Sequence, residues 1–408
     1  MYLRYRYRIA PTDEQRQALA RAFGCARVVY NDGLRLREGA YKAGLPCITD
    51  SKLLRLVTTE AKKTPERRWL TSVSAVVLQQ SVADLHRAYH NYFQAFEGLK
   101  AARASGESTS LRIHRPRFKS KHDTQAVRFT ANSRFRVLPN GRLRLPKVGN
   151  VRIRWSRPLP VEPSSVTITL DRAGRYHASF VVEVAEVPLP VAESAIGIDL
   201  GLSSFATLST DEKIDNPRWL RHRERALRHS QRSMSRKQKG SRNQEKARQR
   251  LARRHAKVAD ARRDFHHQLS TRLVHENQVV IVETLNIAAL GRSNLAKSLA
   301  DAGWGQFIRM LEYKSAKVRR TLAKVDRWHP SSQICSGCAA RSGPKGWAGV
   351  HVRAWTCSQC GIVHDRDVNA AKNILAAGRA VTACGPAVSP GVRRAVGDEA
   401  GTTPAVAV

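Results

Sequence analysis

Four cysteines place the tightest constraint on this chain. Cys335 and Cys338, then Cys357 and Cys360 after eighteen intervening residues, form two CxxC pairs. Each pair makes a tight knuckle offering two thiolates to one tetrahedral ion, so the segment between must return on itself. Sulfur fills all four positions, and the expected Zn²⁺ is therefore structural, with no place open for a substrate. Cys25, Cys47 and Cys384 are scattered, a pattern that suits a metal site in a reducing compartment better than a disulfide framework.

Directly after the second pair comes "HDRDVNAAKNI", in which Asp365 and Asp367 open a short helical pattern. Acids are scarce company here: Lys and Arg total 71 against 33 Asp and Glu, a formal charge of +38. Such a charge repels itself in a compact state, and a polyanion relieves it through Lys/Arg contacts and counterion release. The sequence has no run of about 18 apolar residues, and "MYLRYRYRIA" lacks a signal peptide's apolar centre. The expectation is a soluble, cytoplasmic protein with nucleic acid as partner and no membrane.

Periodicity sets out the rest. "YLRYRYRI" alternates Leu3, Tyr5, Tyr7 and Ile9 with Arg4, Arg6 and Arg8, which predicts a half-buried strand with a cationic outer side. Thr12 and Gln15 are spaced as a capping box at a helix start. Leu78, Val82, Leu85, Tyr89, Tyr92 and Phe96 predict a helix from about Ser74 to Phe96, with "KAARASGESTS" as a flexible link after it. Short strands follow, with turns at Pro139-Asn140-Gly141 and at "DRAG", and together with residues 2–9 they predict a small antiparallel barrel. Beyond the proline-marked "VPLPVAESA", two strands in "AIGIDLGLSSFATLST" precede two Arg/Lys-rich helices broken near Gly240. Then come a buried strand, "QVVIVETLN", and an amphipathic helix expected to be capped by Asp301. The tail from about Gly378 reads as disordered by composition. Acids for i,i+4 pairing are few along the basic helices, which favours phosphate rails over merely solvated faces.

Three acids stand out. Asp199 lies in the strand "IGIDLG", Glu283 ends "VVIVE", and Asp367 opens the last helix. Singly, each has an ordinary reading as turn former, loop anchor or helix cap. Together they have the order of a nuclease core that gathers three carboxylates around two Mg²⁺ or Mn²⁺ ions, hard cations that suit oxygen ligands.

"IGIDLG", "VVIVETLN", "DAGWGQFIRMLEYK", "WHPSSQICSGC", "WTCSQCG" and "HDRDVNAAKNI" resemble the transposon-encoded TnpB (OrfB) proteins, relatives of compact type V CRISPR effectors, over nearly the whole chain. The resemblance implies an α+β multidomain RNA-guided DNA endonuclease. Its parts would be an oligonucleotide-binding-like wedge β-barrel (1–10 and 120–190), an inserted helical recognition lobe (11–119), and a RuvC-like, RNase H-like α/β nuclease domain (191–330 and 361–378). A zinc ribbon (331–360) and a disordered tail (379–408) complete it. By motif, the catalytic and Mg²⁺-holding acids are Asp199, Glu283 and Asp367, with Asp365 an acidic neighbour. The implied partners are a guide RNA from the transposon end and target double-stranded DNA beside a short adjacent motif, bound by a monomer. Gln79, Thr130 and Asn132 fall on the surfaces implied to read that motif, with side chains suited to base edges. Two other classes are a guide-dependent, zinc-ribbon repressor, which shares the charge and cysteines but does not need the acids, and a transposase that joins strands with a similar acid trio, disfavoured by the zinc pair between the second and third acids.

Overall fold

The computed structural model of the chain describes residues 1–105, 113–345, 349 and 351–383. Contact density divides the described residues into two compact units, Tyr2–Val184 and the described residues from Ala185 to Ala383.

The first unit holds β1 (Tyr2–Ala10), α1 (Asp13–Lys42), α2 (Asp50–Leu54), α3 (Ala75–Ala104), β2 (Gln125–Thr130), β3 (Arg136–Val137), β4 (Arg142–Leu145), β5 (Gly149–Arg154), β6 (Ser165–Leu170) and β7 (Tyr176–Glu183). The strands form one antiparallel sheet in the order β2-β6-β7-β1-β5-β4-β3. The expected barrel is therefore open: among the described residues no pairing joins β2 to β3. β1 lies mid-sheet, burying Tyr7 and Ile9 and turning Arg6 and Arg8 to solvent, as its alternation requires. Gly141 (φ +73°) and Gly174 (φ +76°) occupy left-handed positions at the two expected turns.

Helix α1 starts at the expected capping box. Thr12 Oγ1 accepts from the Gln15 N–H at 3.3 Å, and Gln15 Oε1 accepts from the Thr12 N–H at 3.1 Å. Helix α3 runs past Phe96 to Ala104, so Lys100–Ala104 is helix and not link; Ala, Lys and Arg there are strong helix formers. Residues 106–110 of the expected link lie outside the described residues. Leu19, Phe23 and Leu34 of α1 and Leu78 and Leu85 of α3 share one core with Phe129, Val151 and Phe180 of the sheet.

The second unit holds β8 (Ala195–Leu200), β9 (Ser204–Leu208), β10 (Lys213–Asp215), α4 (Trp219–Ser235), α5 (Arg242–Glu276), β11 (Val279–Glu283), α6 (Ile287–Leu290), α7 (Ala296–Ala302), α8 (Trp304–Val318), β12 (Thr321–Val325), β13 (Ala354–Thr356), β14 (Val363–Asp365) and α9 (Arg366–Ala383). The main sheet has the order β10-β9-β8-β11-β12, with the first three strands antiparallel and β11 and β12 parallel to β8. Both faces are covered. Ile196, Ile198, Val280 and Val282 pack with Leu269 and Leu273 of α5 and Phe307 and Leu311 of α8, while Ile281, Ala323 and Val325 pack on Ile374 of α9. A strand buried on both sides reads as an unbroken apolar run, which is why "VVIV" shows no alternation.

Two expectations fail locally. Asp301 does not cap α8, whose N-cap is Gly303; it is buried within α7, and its carboxylate accepts from the N–H groups of Leu220 (2.8 Å) and Arg221 (3.2 Å). It thus caps α4 across space, supplying the first-turn acceptor that Arg218, the local N-cap residue, does not. The expected tail also begins too early, because α9 continues beyond Gly378 to Ala383; residues 384–408, Cys384 included, lie outside the described residues. Among the described residues no helix is long and apolar enough to cross a membrane.

Candidate active site

The acid cluster follows from strand register. β8 and β11 run parallel, and their last paired residues are Ile198 and Val282, so the next residues along, Asp199 and Glu283, lie on neighbouring strands near their carboxyl ends. Alternation puts Asp199 on the same sheet face as Gly197, and Glu283 on the same face as Ile281. That face is the one α9 crosses. A Cβ on Gly197 would collide with the Ala371 carbonyl and the Leu375 N–H, and a Cβ on Gly378 would collide with Ile281. One glycine on the strand and one on the helix let α9 lie directly on the sheet, with Asp367 in its first turn.

The electrostatics are those of crowded like charges. Burial, with the negative charges of Asp367 and Glu283, pushes the Asp199 carboxyl up to about 7 against a smaller opposing pull from Arg366. Burial alone pushes Glu283 up to about 7. Asp199 is only half-buried by area, but protein surrounds its carboxyl closely enough for desolvation to dominate. Two neighbouring carboxylic acids held half-protonated near neutrality are groups a divalent cation would ionise and bind.

Asp365 is different. Its Oδ1 accepts from the N–H groups of Asp367 (3.1 Å) and Val368 (3.0 Å), and its Oδ2 from Lys213 Nζ at 2.6 Å. Burial raises this carboxyl, but the Lys213 and main-chain hydrogen bonds outweigh it and hold it below the usual range. Asp365 is the helix cap, which leaves Asp367 free of that duty. Asp367 instead receives Arg353 Nη1 at 3.3 Å, while Arg353 Nη2 donates to Ser203 Oγ at 3.0 Å in the turn after Asp199. Arg353 is the member of the site that the sequence analysis missed: it lies just before a short strand in "HVRAWTC", with no spacing to mark it.

Among the described residues, the one group of three or more Cys, His, Asp or Glu ligand atoms all within 4.8 Å of each other is Cys335, Cys338, Cys357 and Cys360. Cys335 Sγ and Cys360 Sγ are 3.6 Å apart, as are Cys338 Sγ and Cys357 Sγ. Zn–S bonds of about 2.3 Å in a tetrahedron put sulfurs about 3.8 Å apart, so the quartet fits Zn²⁺. Ser342 Oγ donates to Cys357 Sγ at 3.1 Å, and that hydroxyl is the main cause drawing the thiol down to about 5. The three acids are not gathered that tightly; a pair of ions about 3.5–4 Å apart spans a wider carboxylate spacing than one ion does.

Surfaces for a polyanion occur in each unit. Gln79 is exposed on α3, which packs beside β2 and the turn carrying Thr130 and Asn132, and the Arg128–Asp84 ion pair ties that helix to β2. On the exposed sheet face, arginines stand directly opposite arginines: Arg136 with Arg144, Arg142 with Arg152, and Arg8 with Arg154. Among the described residues none of these six makes an ion pair. In the second unit a cavity of about 470 Å³ is lined by Arg228, Gln231, Arg232 and Ser235 of α4 and by Arg236 just after it, and by none of the acids.

Comparison with known proteins places the chain. Over 393 residues it is 44% identical to a Streptomyces pristinaespiralis protein named "Putative RNA-guided DNA endonuclease", covering 95% of this chain and 92% of that one. It belongs to the OrfB (TnpB) family. Residues 179–294 match the OrfB family model described as "Probable transposase", and residues 304–374 match the "Cas12f1-like, TNB domain". Residues 1–45 match a "Helix-turn-helix domain", although here they form a strand and one unbroken helix. An Escherichia coli relative, "Putative RNA-guided DNA endonuclease InsQ", is 30% identical over 406 residues, 95% of each chain. Among solved structures, a Cas12f1–sgRNA–target DNA complex matches in fold with a TM-score of 0.53 at 12% identity, over 92% of this chain and 98% of that one.

Proposed function

We propose that the chain is a transposon-encoded, RNA-guided DNA endonuclease. The observation that carries this reading is that Asp199 and Glu283 each follow directly on the last paired position of two parallel strands, with Asp367 in the first turn of the helix that crosses them. A sheet of three antiparallel strands extended by two parallel ones, with acids at the carboxyl ends, is the RNase H-like arrangement of a RuvC-type nuclease. The second unit is this nuclease domain with its zinc ribbon; the first is the wedge with its helical lobe, and Gln79, Thr130 and Asn132 read the short DNA motif.

Asp199, Glu283 and Asp367 are the residues that would hold two Mg²⁺ (or Mn²⁺) ions. When bound, such a pair supplies an activated water and stabilises the leaving oxygen in phosphodiester hydrolysis. Burial of Asp199 and Glu283 raises their proton affinity to near pH 7, so a cation binding there would displace protons and its affinity would rise with pH. Arg353 offsets the charge of Asp367 at 3.3 Å and is the guanidinium of this site that would be available to a substrate phosphate. The unpaired arginine rows and the α4 trough hold nucleic-acid backbone, while guide pairing chooses the target.

The test uses the full chain co-expressed with the DNA that follows its gene, so that its RNA is copurified, and offers duplex DNA with Mg²⁺. Wild type should cut, and Asp199→Ala, Glu283→Ala and Asp367→Ala should each bind target without cutting. Equal cutting by Asp199→Ala would overturn the assignment. Target binding by wild type without cutting in Mg²⁺ or Mn²⁺ would make the chain a guided repressor, and joined strands would make it a transposase.

A further inference from the structure

Helix α9 starts at the third acid and then turns two asparagines inward, one helical turn apart. Asn369 is 1% exposed and Asn373 6%. Neither amide serves the other. Both grip the main chain of the first zinc knuckle. Asn369 Oδ1 accepts the Ser336 N–H at 2.8 Å, and its Nδ2 donates to the Ile334 carbonyl at 2.7 Å and the Ser331 carbonyl at 3.4 Å. Asn373 Nδ2 donates to the carbonyls of Ser331 and Ile334, each at 2.7 Å. Ser336 lies inside the Cys335–Cys338 turn, and Ile334 and Ser331 lie on the segment that leads into Cys335, so the groups held lie within or directly before the first knuckle.

The same metal site reaches α9 from its other side. Cys335 Sγ lies 3.0 Å from His364 Nε2, and His364 packs on Trp355 with ring centroids 4.7 Å apart. His364 is on β14, which passes without a break into Asp365, the cap of α9, and then Asp367. The start of α9 is therefore clasped between the strand that precedes it and the knuckle its asparagines hold. Burying two primary amides costs free energy unless their hydrogen bonds are satisfied, and a leucine would fill the same volume without that demand. What the amides add is direction: they accept one registration of helix against knuckle and penalise others.

We propose that Asn369 and Asn373 are positioning residues that make the placement of Asp367 conditional on an occupied zinc site, so that the ribbon licenses metal binding at the acids. This rests on the reading of Asp367 as a Mg²⁺ ligand. It extends that reading by making the zinc an element of control over the acids and not a remote brace.

The test compares wild type, Asn369→Leu, Asn373→Leu and Asn373→Gln as full chains with their RNA. Zinc per chain, target binding, the Mg²⁺ concentration for half-maximal cutting and the single-turnover rate are measured before and after zinc is stripped by chelation and Mg²⁺ restored. Both leucine variants should keep target binding. Their rates should fall about 10- to 100-fold, the usual range for outer-shell partners of a metal site. Their half-maximal Mg²⁺ should rise, with Asn373→Gln, which retains the amide donor, recovering part of the loss. Stripping zinc should cost wild type the same factor and add little to the leucine variants, since both act through one linkage. Wild-type rate and Mg²⁺ dependence in zinc-loaded leucine variants would overturn the proposal, as would losses that simply multiply. If a variant fails to bind RNA, stripped wild type decides alone: an unchanged half-maximal Mg²⁺ refutes the linkage. Should wild type not cut at all, the nuclease reading fails separately, and the linkage is still read from Mn²⁺ affinity in the same proteins.

Discussion

Asp199 ties the proposed site to stability through its titration. Its folded-state carboxyl sits near 7, above the ordinary aspartate value. An acid raised on folding contributes stability that is complete below its unfolded value and is lost as pH rises through the folded one. The metal-free chain should therefore weaken between about pH 4 and pH 7, as Asp199 and Glu283 lose protons in the crowded site. Asp199→Asn should raise metal-free stability at pH 8 on the order of 2 kcal/mol and change little at pH 4. Denaturant melts at the two pH values check this; equal effects at both would contradict it. The acids were legible because each sits at a strand end or helix start within a recognisable motif. Arg353 was not, since an isolated basic residue in a chain this cationic carries no signal of its own. Asp301 was legible as a cap but not as a cap for α4, because its partners are about eighty residues away in sequence and only the packing of α7 on α4 brings them together.

At the level of elements, what places the site is the close approach of α9 to β8 and β11. Gly197→Ala should force α9 outward, costing about 1–3 kcal/mol by overpacking. Cutting should fall more than stability alone explains, because Asp367 moves with the helix; thermal melts and cleavage rates on the same sample separate the two. The arginine rows of the first unit invite the opposite experiment. Like charges directly opposite on neighbouring strands destabilise a sheet by a few tenths to about 1 kcal/mol. Arg144→Gln should therefore raise the melting temperature of the nucleic-acid-free chain while weakening RNA binding, and the salt slope of affinity should drop by about 0.7 for one lost phosphate contact. A lower melting temperature with unchanged RNA affinity would contradict that role. The strands and turns behind these rows were readable from alternation and from Gly141 and Gly174, whereas the openness of the sheet was not: local patterns say which residues pair nearby and nothing about whether β2 meets β3.

For the whole molecule, charge and cysteine spacing predict a nucleic-acid-binding chain with one structural metal; the four thiols do gather within one ion's reach, and a relative named as an RNA-guided DNA endonuclease matches nearly the full length. Removing zinc should relax the knuckles first, since the folded positions of four thiolates depend on the ion they surround; limited proteolysis between Cys338 and Cys357 should quicken several-fold in the stripped protein, and unchanged cleavage kinetics would speak against a structural ion. The account stands or falls on whether Asp199, Glu283 and Asp367 act as one cation site. Anomalous diffraction from Mn²⁺-soaked crystals of the RNA- and DNA-bound chain measures this directly. Two Mn²⁺ peaks ligated by those three carboxylates, lost in Asp199→Ala, are the predicted result. Peaks placed elsewhere, or a site that survives the loss of Asp199, would contradict it.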